Sequence, residues 1–229
     1  MKRIGMIGGF GPEATLDYYK RIVEEYKSQT NGLYPDIVIY SMDISKLFKL
    51  IELKQWNELV DWLVEGLQVL KRAGSDFGFI SANTPHIVFD QVKQQSPLPL
   101  VSIVEAASDY SLSLNLKKLG LLGTKFTMSN SFFKKVFQEN EIGVEVPRES
   151  DQNYIQEKYV TELENGVFKE ETRKELLRIV RGMKDEKGID GVVLGCTELP
   201  LILTKDEYGL PFLNTTKIHV DKIVQYSLM

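Results

Sequence analysis

Short apolar runs alternate along the chain with longer segments of helical periodicity. Each run has the length of a buried strand and ends in small or polar residues, as expected where a strand turns into a helix. The runs occupy residues 3–8, 37–41, 77–81, 100–103, 118–123, 143–146, 191–195 and 211–213. Their alternation with helices predicts an α/β fold with parallel sheets covered on both faces. Ligands of such sheets bind beyond the carboxyl ends of the strands.

The order of these segments repeats in the second half of the chain. The segment KRIGMIGG at residues 2–9 is echoed by KKLGLLGT at residues 117–124, a displacement of 115 positions (120 minus 5). The apolar run that leads to Cys196 is echoed by the run that leads to Ala82, a displacement of 114 positions (196 minus 82). Because both displacements are close to half of the 229 residues, the sequence predicts two copies of one supersecondary plan.

The repeat predicts two domains, each large enough to bury a core of its own. The expected boundaries are residues 1–98 plus 212–229 for the first domain and residues 99–211 for the second. The expected site is a cleft between the two halves, where Cys196 and Ala82 would face each other. One half would then present a thiol and the other a methyl group.

Polar side chains gather in the loops that follow the predicted strands. Asn83 and Thr84 precede Pro85 in a pattern typical of a helix amino terminus, with a side-chain oxygen as the cap and proline in the first helical position. Free amides at such a terminus also attract carboxylates. The polar residues that could hold an anion in these loops are Asn83, Thr84, Thr124, Thr127, Thr197 and Glu198. Their convergence favours an anion-binding site over simple capping.

The first loop contains Gly9-Phe-Gly-Pro-Glu-Ala14, which fits the glycine pattern of dinucleotide-binding turns. Asp43 could then be the acidic residue after the second strand. However, Pro12 removes an amide donor from the turn, and Asp43 lies further along than the usual spacing of about 20 residues. We therefore interpret the turn around Gly9 as shaped for a small anion, and we expect no nucleotide or other cofactor.

Cys196 is the single cysteine of the chain. A lone cysteine can be a small buried residue, but the end of a strand before a helix is a place where a thiol pKa is lowered. His219 could be a satisfied, partly buried histidine or a hydrogen-bond partner of Cys196. We expect His86 to be structural, on the first turn of its helix.

Composition excludes several classes of protein. The net charge is −4, which gives no electrostatic basis for binding nucleic acid or an anionic membrane. No apolar stretch approaches the roughly 20 residues that cross a bilayer, so we expect a cytoplasmic protein. One cysteine cannot form an internal disulfide framework, and with two histidines no metal site has recognisable spacing.

Four segments together resemble the cofactor-independent aspartate/glutamate racemases and their hydantoin racemase relatives. They are, in order, GGFGPEAT at 8–15, NTPH at 83–86, LGTKFTM at 122–128 and GCTE at 195–198. The resemblance covers nearly the whole chain. It implies two similar Rossmann-like or flavodoxin-like domains related by a pseudo-twofold axis, an active site in the interdomain cleft, no cofactor and a homodimer.

The resemblance also implies a mechanism. Members of the family typically use two cysteines, because the weakly acidic α-proton of an amino acid must be removed on one face and returned on the other. Cys196 matches the second cysteine, whereas Ala82 occupies the position of the first. A methyl group transfers no proton, so water, Ser81 or Thr84 would have to act on that face, and racemisation would be weak.

The expected ligand contacts follow from the same resemblance. Gly9, Thr127 and Glu198 would contribute to substrate binding, and the residues that hold the α-carboxylate would be Asn83, Thr84, Thr124 and Thr197. Some aspartate racemases have a basic residue where this chain has Glu164. Lys46 or Lys49 could instead supply a cation for the second carboxylate of the substrate.

Two other functions compete with an amino-acid racemase. Ala82 favours a one-base lyase, decarboxylase or tautomerase that acts on a small dicarboxylate without inversion of configuration. The third possibility is a non-catalytic protein that binds an acidic metabolite, in which ligand binding would not depend on the Cys196 thiol.

Overall fold

The computed structural model describes all 229 residues. The chain forms two compact units, one of Met1–Ile103 with Thr216–Met229 and one of Val104–Thr215. None of its helices combines the length and the apolar composition needed to span a bilayer.

Eight strands form, and all eight lie within two residues of the ranges predicted from the sequence. In chain order they are β1 (Ile4–Gly8), β2 (Ile37–Ser41), β3 (Phe77–Ile80), β4 (Leu100–Val101), β5 (Lys118–Leu122), β6 (Gly143–Glu145), β7 (Gly191–Leu194) and β8 (Phe212–Asn214). The prediction of an α/β fold is confirmed.

Eleven α-helices connect and cover the strands. They are α1 (Pro12–Gln29), α2 (Ile44–Glu52), α3 (Trp56–Arg72), α4 (Phe89–Gln95), α5 (Ile103–Ser113), α6 (Lys125–Ser129), α7 (Phe132–Glu139), α8 (Glu149–Thr161), α9 (Glu170–Lys187), α10 (Leu199–Ile202) and α11 (Thr215–Leu228). Two short 3-10 helices, Thr84–Val88 and Leu163–Asn165, precede α4 and α9.

Each unit contains one four-stranded parallel sheet with the same strand order. The first sheet is ordered β2-β1-β3-β4 and the second β6-β5-β7-β8. In the first sheet Ile7 pairs with Ile80, and in the second Leu122 pairs with Leu194. The loops that follow each pair of central strands therefore leave the same edge of their sheet side by side, and the predicted repeat of one supersecondary plan is confirmed.

Alternation along β1 divides the core of the first unit into two layers, since successive side chains of a strand point to opposite faces. Ile7 packs with the apolar face of α3, including Leu63 and Leu67. Met6 packs on the other face with Tyr18 of α1 and with residues of α11. Both faces of this sheet are thus covered, as parallel sheets require.

The second unit has a core built around β5, β7 and the helices α8 and α9. Leu122 and Leu194 pack there with Val180 of α9 and Ile155 of α8. Cys196 belongs to the same buried cluster. The strand end that holds the thiol is therefore supported by the unit's main core.

In each sheet, an aspartate just before one central strand is hydrogen-bonded to the backbone at the start of the other central strand. Asp76 accepts a hydrogen bond from the Arg3 amide at 2.6 Å and donates its own amide to the Arg3 carbonyl at 2.9 Å. Asp190 accepts from the amides of Lys117 and Lys118 at 2.7 and 3.0 Å and donates to the Lys118 carbonyl at 2.8 Å. The repeat therefore extends to side-chain contacts that the sequence comparison did not include.

Candidate active site

The Gly9 turn connects β1 to α1 through backbone conformations that favour glycine. Gly9 has φ 88° and Gly11 has φ 106°. A Cβ atom on Gly9 would collide with the backbone of Met42. The Gly9 amide donates to Thr15 Oγ1 at 2.9 Å, so this predicted binding residue already has an internal partner.

Asp43 and Pro12, the residues weighed for a dinucleotide site, both begin helices. Asp43 accepts a hydrogen bond from the Ser45 amide at 2.8 Å and caps α2. Pro12 is the first residue of α1. An amide hydrogen at this position would have no partner within the helix, so proline costs the helix no hydrogen bond. The Asp43 carboxylate therefore serves the start of α2.

The loop after β3 is anchored by Ser81. Its amide and its hydroxyl both donate to the Ile7 carbonyl at 3.0 Å, and the residue has no exposed surface. Ala82 and Thr84 are half-buried in the same loop, and Asn83 is buried. The hydroxyl proton of Ser81 is thus used in a hydrogen bond to the backbone. Ser81 is therefore no longer a candidate for donating a proton to the substrate on the Ala82 face.

The predicted helix start at Pro85 with a side-chain oxygen as its cap is wrong. The 3-10 helix begins at Thr84, with Pro85 as its second residue, and the Asn83 side chain makes no capping bond. Its backbone is already helical, with φ −77° and ψ −44°, whereas a capping residue usually has an extended backbone. The Asn83 Oδ1 atom is buried without a partner and remains available to a ligand.

His86 is structural, as predicted. Its Nδ1 atom lies 2.9 Å from the Ala82 carbonyl oxygen, and its Nε2 atom accepts a hydrogen bond from the Ile103 amide at 3.4 Å. The ring stacks on Phe89 with 4.8 Å between centroids. Burial lowers the His86 pKa to about 4, so the ring is neutral, with its proton on Nδ1 and with Nε2 as the acceptor for the Ile103 amide.

His219 is a fully buried residue whose ring nitrogens both have partners in its own unit. Nδ1 lies 2.9 Å from Tyr18 Oη, and Nε2 lies 3.1 Å from the Val101 carbonyl oxygen. Burial lowers the His219 pKa to about 3. No ring nitrogen is left to bind the Cys196 thiol. Of the two roles considered for His219, the hydrogen-bond partner of Cys196 is therefore wrong, and the buried histidine with internal partners is confirmed.

Thr124 and Thr127 lie in the loop that follows β5. Thr124 caps α6 by accepting from the Thr127 amide at 3.3 Å, and the two hydroxyl oxygens are 3.1 Å apart. Thr127 is buried and packs close to Gly195, where an added Cβ atom would lie 3.3 Å from Thr127 Cγ2. The structure therefore brings the Thr127 side chain beside the residue that precedes Cys196.

The Cys196 thiol does not have the lowered pKa that its position suggested. Only 7% of the residue is exposed, and burial, followed by the charge of Glu198, raises the pKa of the thiol. The Leu199 amide donates to Sγ at 3.4 Å and opposes the shift, but α10 is only four residues long. The thiol therefore holds its proton at neutral pH.

Three polar residues surround this thiol. Thr197 Oγ1 donates to Glu198 Oε1 at 2.8 Å, while Glu198 Oε2 is buried without a partner. Tyr159 of α8 packs on the core cluster that contains Cys196. Burial raises the Tyr159 pKa, and the negative charge of Glu198 raises it further. Sequence analysis missed Tyr159, because no motif in α8 distinguishes it from other residues of that helix.

The lysines nearest the Glu164 segment are already paired. Glu162 Oε1 accepts from Lys158 at 3.2 Å and from Lys169 at 3.3 Å, and Oε2 accepts from Thr172 at 2.6 Å. Glu164 itself is exposed. In the other unit, the Lys46 ammonium group lies 4.8 Å from the Trp62 ring centroid. The Glu162 network was not predicted, since no sequence spacing distinguishes a buried glutamate here from an exposed one.

The two strand edges differ in chemistry. In the first unit the structure brings the Gly9 turn to the same edge as Ala82, Asn83 and Thr84. In the second it brings Thr124 and Thr127 to the edge that holds Cys196, Thr197 and Glu198. Only the second edge combines a protonated thiol with a carboxylate and hydroxyl groups, which are the groups needed to move a proton.

These features define an α/β protein with a buried thiol, a carboxylate and hydroxyl groups at the carboxyl end of a parallel sheet, and comparison with known proteins identifies its family. The family model for Asp/Glu/hydantoin racemases matches residues 7–223. The chain belongs to the Asp/Glu/hydantoin racemase family. Membership supports an amino-acid racemase, an isomerase that acts on small-molecule amino acids.

Individual relatives match all or nearly all of the chain. A candidate Asp/Glu racemase from Yersinia pestis is 30% identical, with complete coverage of both chains and a TM-score of 0.94. An aspartate racemase homologue from Pyrococcus horikoshii OT3 is 33% identical, with complete coverage and a TM-score of 0.87. The broad specificity amino-acid racemase RacX of Bacillus subtilis (strain 168) is 21% identical over 93% of this chain and 92% of its own.

Proposed function

We propose that the chain is a cofactor-independent racemase of the aspartate/glutamate type in which Cys196 moves the α-proton. The observation that carries this proposal is the protonated, buried thiol at the end of β7 beside an unpartnered carboxylate oxygen. A neutral thiol can deliver a proton to the carbanion of an amino acid. After losing that proton, the thiolate can act as the base.

The proposed substrate contacts come from both strand edges. Asn83, Thr84, Thr124 and Thr197 hold the α-carboxylate, with Gly9, Thr127 and Glu198 contributing to the site. Asn83 supports this assignment, because its buried side-chain oxygen has no partner within the protein. Buried polar atoms almost always have a partner, so a ligand is a physical reason for such an atom to persist.

The proposal places Ala82 at the position of the first catalytic cysteine, where it transfers no proton. Ser81 cannot replace it, because its hydroxyl donates to the Ile7 carbonyl. Thr84 is half-buried and, with water, is the remaining donor for that face. We therefore expect slow racemisation.

Ala82 also favours a second candidate function, a one-base lyase, decarboxylase or tautomerase that acts on a small dicarboxylate. Cys196 would supply a proton to one face of the carbanion, and no group would be needed on the other face. The product would then form without inversion of configuration.

The proposed enzyme is a homodimer, as its family resemblance implies, and we expect it in the cytoplasm. Light scattering of the purified protein should give twice the chain mass of 26.2 kDa. Fractionation of the source cells should place the protein with the cytoplasmic fraction. A monomer, or a protein that sediments with membranes, would contradict these parts of the proposal.

Proton NMR in D₂O with L-aspartate and L-glutamate tests the proposed function when chiral chromatography follows the D-isomer. Racemisation predicts loss of the α-proton signal with formation of D-isomer, and Cys196→Ser should slow it by about 10²-fold or more. Exchange with retention favours the one-base function. Stabilisation by a ligand without exchange would instead identify a binding protein.

A further inference from the structure

The helix α6 is too short to be stable by itself. It has five residues, Lys125–Ser129, whereas isolated helices of fewer than about 12 residues are marginal in water. It begins directly after Thr124 and contains Thr127, two residues of the proposed substrate site. Its Met128 packs in the same buried cluster as Ile155 of α8. The position of the two hydroxyl groups therefore depends on packing against neighbouring elements, including α8.

Gln156 of α8 accepts a hydrogen bond from the first amide of α6. The Lys125 amide donates to Gln156 Oε1 at 2.7 Å. Because the first amides of a helix have no partner within the helix, this side chain completes the start of α6. The same planar peptide group contains the Thr124 carbonyl, which accepts from the Met128 amide at 3.0 Å. Both ends of the Thr124–Lys125 peptide group are thus held, and one of the two partners belongs to another helix.

This peptide group determines where the Thr124 side chain lies. Thr124 has the extended backbone of a capping residue, with φ −61° and ψ 158°. Its Oγ1 atom accepts from the Thr127 amide at 3.3 Å and lies 3.1 Å from Thr127 Oγ1. A hydroxyl group has one proton to donate besides its acceptor sites. Thr124 can therefore cap α6 and still donate a hydrogen bond to a carboxylate.

We propose that Gln156 is a positioning residue for substrate binding and that it acts through Thr124. This inference rests on the proposed function, in which Thr124 holds the α-carboxylate. Without the acceptor on Gln156, the Lys125 amide would bond to water, because Lys125 is exposed. The Thr124–Lys125 peptide group would then gain freedom that a ligand has to restrict on binding, and this restriction weakens affinity.

The variant Gln156→Met removes the acceptor and keeps a side chain of similar length and helix propensity. We expect the KM for α-proton exchange of L-aspartate or L-glutamate in D₂O to rise by about 3–10-fold, from the usual strength of one hydrogen bond. The kcat should change by less than about 2-fold, because loss of binding that the ground state and the transition state share raises KM alone.

Gln156→Glu tests whether the acceptor is responsible. It retains an oxygen for the Lys125 amide, so its KM should stay close to the native value. The rise in melting temperature caused by the same amino acids measures binding without turnover. It should shrink in Gln156→Met and persist in Gln156→Glu.

Asn153 provides a matched control one turn earlier on α8. Asn153 Oδ1 accepts from the Lys125 ammonium group at 2.7 Å, and both residues are exposed. This bond holds the side chain of Lys125 and not its backbone amide, so Asn153→Ala should leave KM unchanged. A rise equal to that of Gln156→Met would indicate general damage to α8 and would overturn the proposal.

A double-mutant cycle tests whether Gln156 acts through Thr124. Thr124→Val removes the hydroxyl and should itself raise KM. In that background Gln156→Met should change KM by less than about 2-fold, because the effects of residues that act together do not add. A full effect of Gln156→Met in the Thr124→Val background would overturn the proposal.

Two results with the single variants would also overturn it. They are a native KM in Gln156→Met and an equal rise of KM in Gln156→Met and Gln156→Glu. Absence of both exchange and stabilisation by ligand in the native protein would instead contradict the proposed function, and the inference would fail with it. An active native protein with an equally active Gln156→Met variant contradicts the positioning role alone.

Discussion

The Nδ1 atom of His86 lies 2.9 Å from the carbonyl oxygen of Ala82. The same ring accepts a hydrogen bond from the Ile103 amide, at the last residue of the first unit before the chain enters the second. One neutral imidazole therefore connects the loop of Ala82 to Ile103, where the segment Met1–Ile103 ends. Protonation at Nε2 would destroy the acceptor that the Ile103 amide needs.

His86→Leu should destabilise the protein because it leaves the buried Ile103 amide without a partner. The expected loss is about 1–3 kcal/mol in the free energy of unfolding, measured by urea denaturation at pH 7.5. His86→Gln retains a donor and an acceptor and should lose less. Equal stability of the two variants would show that the hydrogen bonds to His86 contribute little.

The two buried histidines predict a loss of stability in mild acid. Burial lowers the pKa to about 4 for His86 and to about 3 for His219, from about 6.5 in the unfolded chain. Below pH 6.5 the unfolded state binds protons that the folded state does not. The free energy of unfolding should therefore fall by up to ~1.4 kcal/mol per pH unit for each histidine.

Urea titrations at pH 7.5, 6.0 and 5.0 would measure this slope. This pH range lies above the range in which protonation of Glu162 would change the stability. Hydrogen bonding to Thr172 and the neighbouring lysines lowers the Glu162 pKa below 4.5. His86→Gln should show about half of the native slope. A stability that is flat between pH 6.5 and 5 would mean that the histidines are not neutral in the folded protein.

Ala82→Cys should increase racemisation by supplying a second thiol at the position proposed for the first catalytic cysteine. A positioned acid or base contributes about 10²–10⁴-fold, so the increase should be visible as faster formation of D-isomer. Ala82→Ser, which adds a hydroxyl that is a far weaker acid than a thiol, is the control. No increase with cysteine would favour the one-base function.

The fold could be predicted from the sequence because its signals are local and repeated. Apolar runs of strand length located all eight strands, and the displacement between Gly5 and Gly120 reflects equivalent strands in two sheets of the same order. The loops that carry the candidate site could be found for the same reason, since they follow those strands.

The chemical state of the site could not be predicted in this way. Whether Cys196 is charged depends on burial and on the Glu198 side chain, and only the packed structure shows both. Asn83 fails as a cap because its backbone is helical, which composition does not reveal. Tyr159 of α8 packs against the core cluster that contains Cys196, and no local pattern identifies it.

Asp76 and Asp190, which are hydrogen-bonded to the backbone at the start of a neighbouring strand, should differ in their contribution to stability. Asp190 is half-buried and accepts two amide hydrogen bonds, whereas Asp76 is exposed and its carboxylate accepts one. Asp190→Ala should therefore reduce the free energy of unfolding by about 1–3 kcal/mol, and Asp76→Ala by less. A larger loss for Asp76→Ala in urea denaturation would contradict this reading.

Gly9 provides the sharpest test of the turn that precedes α1. Alanine at this position would have to adopt φ 88° and place its Cβ atom against the backbone of Met42. The left-handed conformation alone costs about 1–2 kcal/mol, and the collision adds to it because backbone atoms cannot move aside like a flexible side chain. Gly9→Ala should therefore lower the urea midpoint and shift the loop that follows β1.

Gly182→Ala is the matched control, because this glycine lies inside α9 with open space where a Cβ atom would be. Alanine is favoured over glycine by about 1 kcal/mol in a helix interior, so this variant should be more stable than the native protein. The same chemical change is thus expected to have opposite signs at the two positions. If Gly9→Ala were also neutral or stabilising, the chain could not turn at Gly9 as described, and the proposed contribution of this turn to substrate binding would lose its structural basis.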